Sequence, residues 1–408
     1  MTAEIVAVGT ELLLGEIVDT NSTELGRALA SHGVSCYRRQ VVGDNVPRIV
    51  EALQLALARS DIVFTIGGLG PTMDDVTREG IALALDEDLI LDEDLEREIT
   101  AKLESRRVAA LTSHARQALR PSCATPIANP NGTAPGLFCL KDQKAVVAMP
   151  GPRLEFAPML HGPVGEWLRS LGQRPLLTRT IKVIEIGESA VEDRLRDLMQ
   201  GSDPSLAPYA KTGEVHLRIA SGDHEAIDRL AIEIVARLGD NVYGVNDDSL
   251  ESVVLDDLRR RVETVAVAES CTGGGLGARL TSVPGSSDVF LGGVVSYSNA
   301  LKISMLGVSQ ETVEKHGAVS EECAREMAEG VRDKTGADWG VSVTGIAGPD
   351  GGSDEKPIGL VFIGLAGPHG TTVSRNLFQG TRESVRDRST QAALILLWQT
   401  LKASPKVQ

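Results

Sequence analysis

The chain alternates between short, continuous apolar runs and longer stretches in which apolar residues return every three or four positions. Glu4–Gly9 (EIVAVG) is an apolar run closed by glycine, the pattern of a strand buried on both faces. Asn21-Ser22-Thr23-Glu24 then supplies a cap in capping-box register, which predicts a helix running to His32-Gly33. Val34–Val42 reads as a second strand whose Arg38 and Arg39 predict exposure, and Val46, Ile49, Val50, Leu53 and Leu57 recur at helical spacing. Asp61–Gly67 (DIVFTIG) is another buried strand, so residues 1–170 predict a doubly wound α/β domain. Residues 171–248 open on a Gln173-Arg174-Pro175 linker. They predict a strand over 176–186, a helix over 188–199, a break at Ser202-Asp203-Pro204, a strand over 214–220 and a helix over 224–238. That is a small α+β module. Residues 249–408 predict a helix over 250–261, a strand over 262–267, a small-residue strand ending near Tyr297, a buried strand over 339–344, a hairpin across Gly367-Pro368-His369-Gly370 and a last helix opened by Arg382 and Arg386. The fold class expected is therefore two α/β domains joined by a small α+β module.

At 408 residues the chain exceeds what one core holds, in keeping with that division. The formal charge of −15 argues against general nucleic-acid binding, which needs cationic surface to displace counterions. Aromatic residues at 3% leave little to stack single-stranded bases on. No run of apolar residues is long enough to span a bilayer, and the opening MTAEIVAVGTELLLGE, with Glu4 and Glu11, is not a signal peptide. Five cysteines are scattered without C-x-x-C, which fits a reducing cytoplasm better than a disulfide or zinc framework.

Two places carry candidate chemistry. The first is the loop after the Asp61–Gly67 strand, Gly67-Gly68-Leu69-Gly70-Pro71-Thr72-Met73-Asp74-Asp75. Ligands of open α/β sheets sit beyond the carboxyl ends of strands, and glycines let backbone N–H groups approach an anion. Thr72 is placed to donate to a phosphate, whereas Asp74 and Asp75 offer oxygen ligands to a hard divalent cation. The plainer reading is a tight turn with acidic residues at a helix start. Asp19 and Asn21 open toward the same sheet edge, and serve equally as turn and cap. The second place is Glu269-Ser270-Cys271-Thr272-Gly273-Gly274-Gly275, a hydroxyl at a strand-to-helix turn. Ser270 reads either as a nucleophile or as a helix N-cap. Cys271 is its rival, intrinsically more reactive as thiolate but without a histidine partner in view. Downstream, Tyr297, Asn299 and Lys302 close the next strand; a desolvated lysine falls in pKa and serves as a base. Thr344-Gly345-Ile346-Ala347-Gly348 forms a second glycine-rich loop, which reads either as a phosphate or ribose site with Thr344 as side-chain donor or as a flexible hairpin connection. Arg382, at the positive end of the last helix, is a cation placed to reach an anionic substrate.

The segments GTELLLGEIVDTNS, GGLGPTMDDVTRE, NPNGTAPG and AMPGPRLEF resemble the amino-terminal domain of the CinA (competence/damage-inducible) family. AESCTGGGLGARLTSVPGSS, VVSYSNALKISMLGV, GAVSEE and TGIAGPDGG resemble that family's nicotinamide mononucleotide (NMN) deamidase domain. For the front domain the resemblance implies a molybdopterin-binding fold and ADP-ribose pyrophosphatase activity with a divalent metal (Mg, Mn or Co) on Asp74 and Asp75. Thr10, Glu11, Asp19, Asn21, Gly67, Gly68, Gly70, Pro71, Thr72, Pro150 and Gly151 would hold the nucleotide. Binding of a pterin or nucleotide without turnover, in a protein serving competence or recombination, is the alternative. For the back domain it implies metal-free hydrolysis of the NMN carboxamide by Ser270, Tyr297 and Lys302, with Cys271, Thr272, Gly273, Gly274, Asn299, Thr344, Gly345, Ala347, Gly348 and Arg382 around the substrate. Amides near Cys271 and Thr272 would receive the oxyanion. The family's middle region resembles a KH-type fold, yet no G-x-x-G loop is present here, so the module reads as an interface or spacer rather than an RNA reader. A homodimer is also implied. Three positions depart from the family pattern: Met73 where proline is usual, Arg153 inside a proline-rich PGxPxE stretch ending at Glu155, and Thr381 where an acid is frequent.

Overall fold

The computed structural model describes residues 1–106 and 112–404. It divides into two units, Met1–Leu177 and Thr178–Gln408.

In the first unit the chain runs β1 (Thr2–Val8), α1 (Thr20–Ser31), β2 (Ser35–Val42), α2 (Val46–Arg59), β3 (Ile62–Ile66), α3 (Thr77–Ala84), β4 (Ala124–Ile127), β5 (Gly136–Lys141), β6 (Lys144–Met149) and α4 (Arg153–Met159), with shorter pieces between. The sheet order is β2-β1-β3-β6-β5-β4. Its first four strands are parallel; β5 pairs antiparallel with β6, and β4 antiparallel with β5. Alternate residues of β1 feed two different cores: Ala3 and Ile5 pack with α1 and α4, Val6 and Val8 with α2. A strand covered on both faces must be apolar throughout, and this is why β1 and β3 lack alternation. Edge strand β2 is exposed at Arg38 and Arg39, as its sequence predicts. The connection from β1 goes to one side for β2 and to the other for β3, which leaves a crevice at their carboxyl ends.

The expected cap at Asn21 is corrected here. Asp19 is the N-cap of α1, its carboxylate accepting from Ser22 N at 2.8 Å. A side-chain oxygen caps by reaching the third helical N–H, and only Asp19 stands at that distance. Asn21 lies inside the first turn and donates to Gly151 O at 2.6 Å, while Glu24 pairs with Arg153 at 2.9 Å and His161 at 2.8 Å.

The second unit begins with a four-stranded module: β7 (Leu177–Ile184), β8 (Ser205–Lys211), β9 (Glu214–Ser221), α5 (His224–Leu238) and β10 (Val242–Val245), in sheet order β8-β9-β7-β10. There follow α6 (Leu250–Arg261), β11 (Val265–Glu269), α7 (Gly275–Thr281), β12 (Phe290–Val295), α8 (Asn299–Leu306), α9 (Glu321–Thr335), β13 (Trp339–Gly345), β14 (Leu360–Gly367), β15 (Gly370–Leu377) and α10 (Arg382–Ala403). Their sheet order is β12-β11-β13-β14-β15, with β11 parallel to both its neighbours. The strand expected from Val262 starts at Val265, because Val262 closes α6 in the left-handed region (φ 57°) and is 90% exposed. Among the described residues no helix is long and apolar enough to cross a membrane.

Candidate functional site

The six-stranded and five-stranded sheets each carry a cavity beyond the carboxyl ends of their central strands. In the first unit the cavity has a volume of about 650 Å³ and is lined from the end of β1 (Val8, Gly9, Glu11), the start of α1 (Asp19, Asn21), the loop after β3 (Gly67–Pro71, Asp74, Asp75) and the loop after β6 (Pro150, Gly151, Glu155). Gly67 has φ +103°, and a Cβ there would lie 2.2 Å from Val8 O, so glycine is required where β3 turns into the loop. Thr72 donates from both its N–H and hydroxyl to Asp75 Oδ2, which ties this carboxylate into the loop. Thr10 is likewise held by Asp44, through N–H and hydroxyl contacts of 2.8 Å each. Thr10 and Thr72, both exposed, are not among the residues that line the cavity.

Two residues outside the lining hold the loops of this cavity, and neither stands out in the sequence. Arg78, 1% exposed, donates to the carbonyls of Leu69 and Gly70 and so fastens the glycine loop from beneath. Burial lowers its pKa to about 10. Asn129 explains the NPNG segment. Its amide oxygen accepts from Asn131 N (3.0 Å) and Gly132 N (2.8 Å), and its NH₂ donates to Glu155 Oε2 at 2.6 Å. Arg153, which breaks the family pattern, uses its guanidinium on Glu24. No three His, Cys, Asp or Glu side chains converge to cage a metal among the described residues. Asp74 and Asp75 supply a carboxylate pair, a donor set that suits a cation keeping its waters and taking further ligands from substrate phosphates.

The cavity of the second unit is smaller, about 190 Å³, and is lined by Ser270, Cys271, Tyr297, Asn299, Lys302, Ala318, Val319, Thr344, Gly345, Ala347 and Arg382. Ser270 leaves β11 with its N–H on Val343 O at 2.9 Å, so strand pairing persists up to the hydroxyl-bearing residue. The chain then turns through Gly273 (φ +61°) and Gly274 (φ +96°), and α7 starts only at Gly275. Ser270 is therefore not the cap of that helix. Glu269 fills that role, its buried carboxylate accepting from Gly274 N (3.0 Å), Leu276 N (3.0 Å) and Gly277 N (2.8 Å). The N–H groups of Cys271 and Thr272 have no backbone oxygen as acceptor among the described residues, and both lie toward the Cys271 thiol.

Ser298 caps α8 through Leu301 N at 3.2 Å, and this fixes the helix phase. Lys302 and Leu306 then share its buried face, four residues apart. Lys302 is 1% exposed, with Nζ 3.0 Å from Ser270 Oγ and 2.7 Å from Ser296 O. Burial holds the amine below its usual pKa. The Cys271 thiol is pushed up to about 11, mainly by burial. Tyr297, 63% exposed, accepts at its hydroxyl from Arg382 Nη2 (3.0 Å), whose other nitrogen donates to Gly348 O (2.7 Å). Tyr297 makes no hydrogen bond to Ser270 or Lys302 among the described residues. The Thr344 hydroxyl donates inward to Ala318 O at 2.7 Å rather than pointing free into the cavity. Thr272, Gly273, Gly274 and Gly348 are not among the residues that line the cavity. Arg386 donates to Thr272 O at 2.9 Å and so braces the turn from α10. Glu269 was legible only as part of a motif, since a glutamate ending an apolar strand gives no sign of the N–H groups it will meet.

Three family descriptions match in chain order: "Probable molybdopterin binding domain" over residues 4–170, "Damage-inducible protein CinA KH domain" over 178–244 and "CinA C-terminal domain" over 247–401. A competence-damage inducible protein of Moorella thermoacetica is 47% identical over 411 residues, covering 99% of each chain. One from Halothermothrix orenii is 43% identical over the full length of both. A solved CinA structure from Thermoplasma acidophilum, titled as of unknown function, covers 41% of this chain and 98% of its own, with 37% identity and a TM-score of 0.39. By this full-length identity and the ordered match of all three domains, the chain belongs to the CinA family of competence/damage-inducible proteins.

Proposed function

We propose that the chain is a bifunctional nucleotide hydrolase whose C-terminal domain converts NMN to nicotinate mononucleotide and ammonia. The observation that carries this reading is a buried lysine amine 3.0 Å from a serine hydroxyl at the end of a central strand. The neutral amine of Lys302 accepts the Ser270 proton while one of its N–H groups stays on Ser296 O. Ser270 Oγ bonds to the carboxamide carbon, and the carbonyl electrons move onto oxygen, toward the N–H groups of Cys271 and Thr272, which have no backbone oxygen acceptor among the described residues. Collapse breaks the C–N bond, and the Lys302 ammonium returns its proton to the leaving nitrogen, which departs as ammonia. Water then attacks the ester with Lys302 again as base, and Ser270 is released. Tyr297, Asn299 and the Arg382 guanidinium at the cavity mouth orient the mononucleotide, whose phosphate is the natural partner of the arginine.

In the first unit the acidic, glycine-lined cavity supports metal-dependent hydrolysis of ADP-ribose. Asp74 and Asp75 would hold a divalent cation (Mg, Mn or Co); when bound, it offsets charge on the pyrophosphate oxygens and lowers the pKa of a water. The backbone of the Gly67–Gly70 loop, fastened by Arg78, receives a phosphate group. Binding without turnover is the second reading for this unit. It is favoured by the carboxylate pair lacking a third convergent ligand among the described residues.

Purified protein incubated with NMN and, separately, with ADP-ribose plus Mg, Mn or Co tests both. Ammonia with nicotinate mononucleotide is expected from the first without added metal, and AMP from the second, lost in Asp74→Ala. NMN left unchanged overturns the amidase. ADP-ribose left unchanged, while still bound, selects the binding reading for the front domain.

A further inference from the structure

A helix that starts beside a nucleophile creates a problem for it. The first N–H groups of any helix lack partners, and nearby hydroxyls are the usual acceptors. Here the turn holds two hydroxyls ahead of α7, on Ser270 and Thr272, and both side chains are buried. Neither is used as a cap. Among the described residues the Thr272 hydroxyl has no partner, and Ser270 is engaged with Lys302. The N–H groups of Gly274, Leu276 and Gly277 go instead to Glu269, a carboxylate 1% exposed on the residue immediately before Ser270.

We propose that Glu269 is a positioning residue for the Ser270 nucleophile. By taking the N–H groups at the start of α7, it releases the Ser270 hydroxyl from capping and holds Ser270–Gly274 in the path that leaves the Cys271 and Thr272 N–H groups without a backbone oxygen acceptor among the described residues. One carboxylate meeting three donors over-determines the turn, because its two oxygens reach both sides of the helix start. Arg386, donating to Thr272 O from α10, fixes the same turn from the opposite end. Glutamine keeps the shape but replaces one acceptor oxygen with an NH₂ that faces donors. Glu269→Gln therefore returns at least one N–H to competition for Thr272 Oγ or Ser270 Oγ. Glu269 touches no reacting atom, so its loss acts on the rate and not on substrate capture.

The proposal rests on Ser270 being the amidase nucleophile, and the test separates the two. Full-length wild type, Glu269→Gln and Glu269→Asp are compared for kcat and KM with NMN, and for amide hydrogen exchange over residues 270–277. Glu269→Gln is expected to lose on the order of 10²-fold in kcat, the scale of one mispositioned oxyanion donor, with KM within about threefold. Exchange at residues 271–277 rises, and Glu269→Asp, which keeps the charge and folds under milder perturbation, recovers part of both. Unchanged kcat in Glu269→Gln, or a loss carried by KM, overturns the proposal. If wild type turns over no NMN, the amidase reading fails by itself, and the exchange data still decide the positioning: faster exchange in Glu269→Gln upholds it and unchanged exchange refutes it.

Discussion

At the scale of residues, the C-terminal site turns on a lysine that is buried without a carboxylate partner among the described residues. Burial disfavours the ammonium, so the amine is neutral at a lower pH than an exposed lysine would be. The sign for activity follows: kcat/KM for NMN falls as pH drops through the Lys302 value, and this acid limb lies below the ordinary 10.5 of lysine. The sign for stability is the same. With the folded pKa depressed, the unfolded chain binds more protons between the two values, so stability rises with pH across that window and the contribution levels off above 10.5. Lys302→Met is expected to lower kcat/KM by roughly 10³-fold while leaving Tm at or above that of wild type, because an isosteric apolar chain no longer opposes burial. A pH–rate profile with thermal melts of both proteins checks this; a clear fall in Tm would show that the amine is stabilising. The sequence showed Ser270, Tyr297 and Lys302 as a set, but a lone lysine in sequence reads as surface. Its burial became legible only through the Lys302–Leu306 spacing on a helix phased by Ser298.

At the scale of elements, both cavities are made by the same device, a run of parallel strands within a mixed sheet whose order reverses next to a central strand. The apolar runs of β1, β3, β11 and β13 were readable because a strand buried on both faces has no polar alternation to lose. Boundaries were less readable. Asn21 carries an N-cap side chain as good as that of Asp19, and only the path of the backbone decides between them. Gly67 is the element-level hinge of the first unit, where a side chain meets Val8 O at 2.2 Å and a positive φ. Gly67→Ala is expected to destabilise that unit by at least ~1–3 kcal/mol, seen as a lower first transition in calorimetry, without changing NMN turnover. A variant that melts like wild type would show that the β3 turn relaxes without cost.

At the scale of the whole molecule, the KH-like module of the second unit spends its polar groups inward. Glu214, at the start of β9, accepts from His216 at 2.7 Å and from Gln391 of α10 at 3.2 Å; Gln391 in turn accepts from Arg279 of α7 at 2.6 Å. Arg279 closes the chain on Glu251 at 2.5 Å. This network joins the module to the two helices that flank the Ser270 turn, in keeping with a brace and with the missing G-x-x-G loop. None of it was visible in the sequence, since Glu214 and Gln391 lie 177 positions apart. The central claim is that Ser270, and not the adjacent Cys271, forms the covalent intermediate. Acid-quenching the enzyme during NMN turnover and mapping the adduct by peptide mass spectrometry tests this most directly. The account predicts an acyl ester on Ser270 that persists in Cys271→Ala and is absent, with ammonia release lost, in Ser270→Ala. An adduct on Cys271, or ammonia released at wild-type rate by Ser270→Ala, would contradict it.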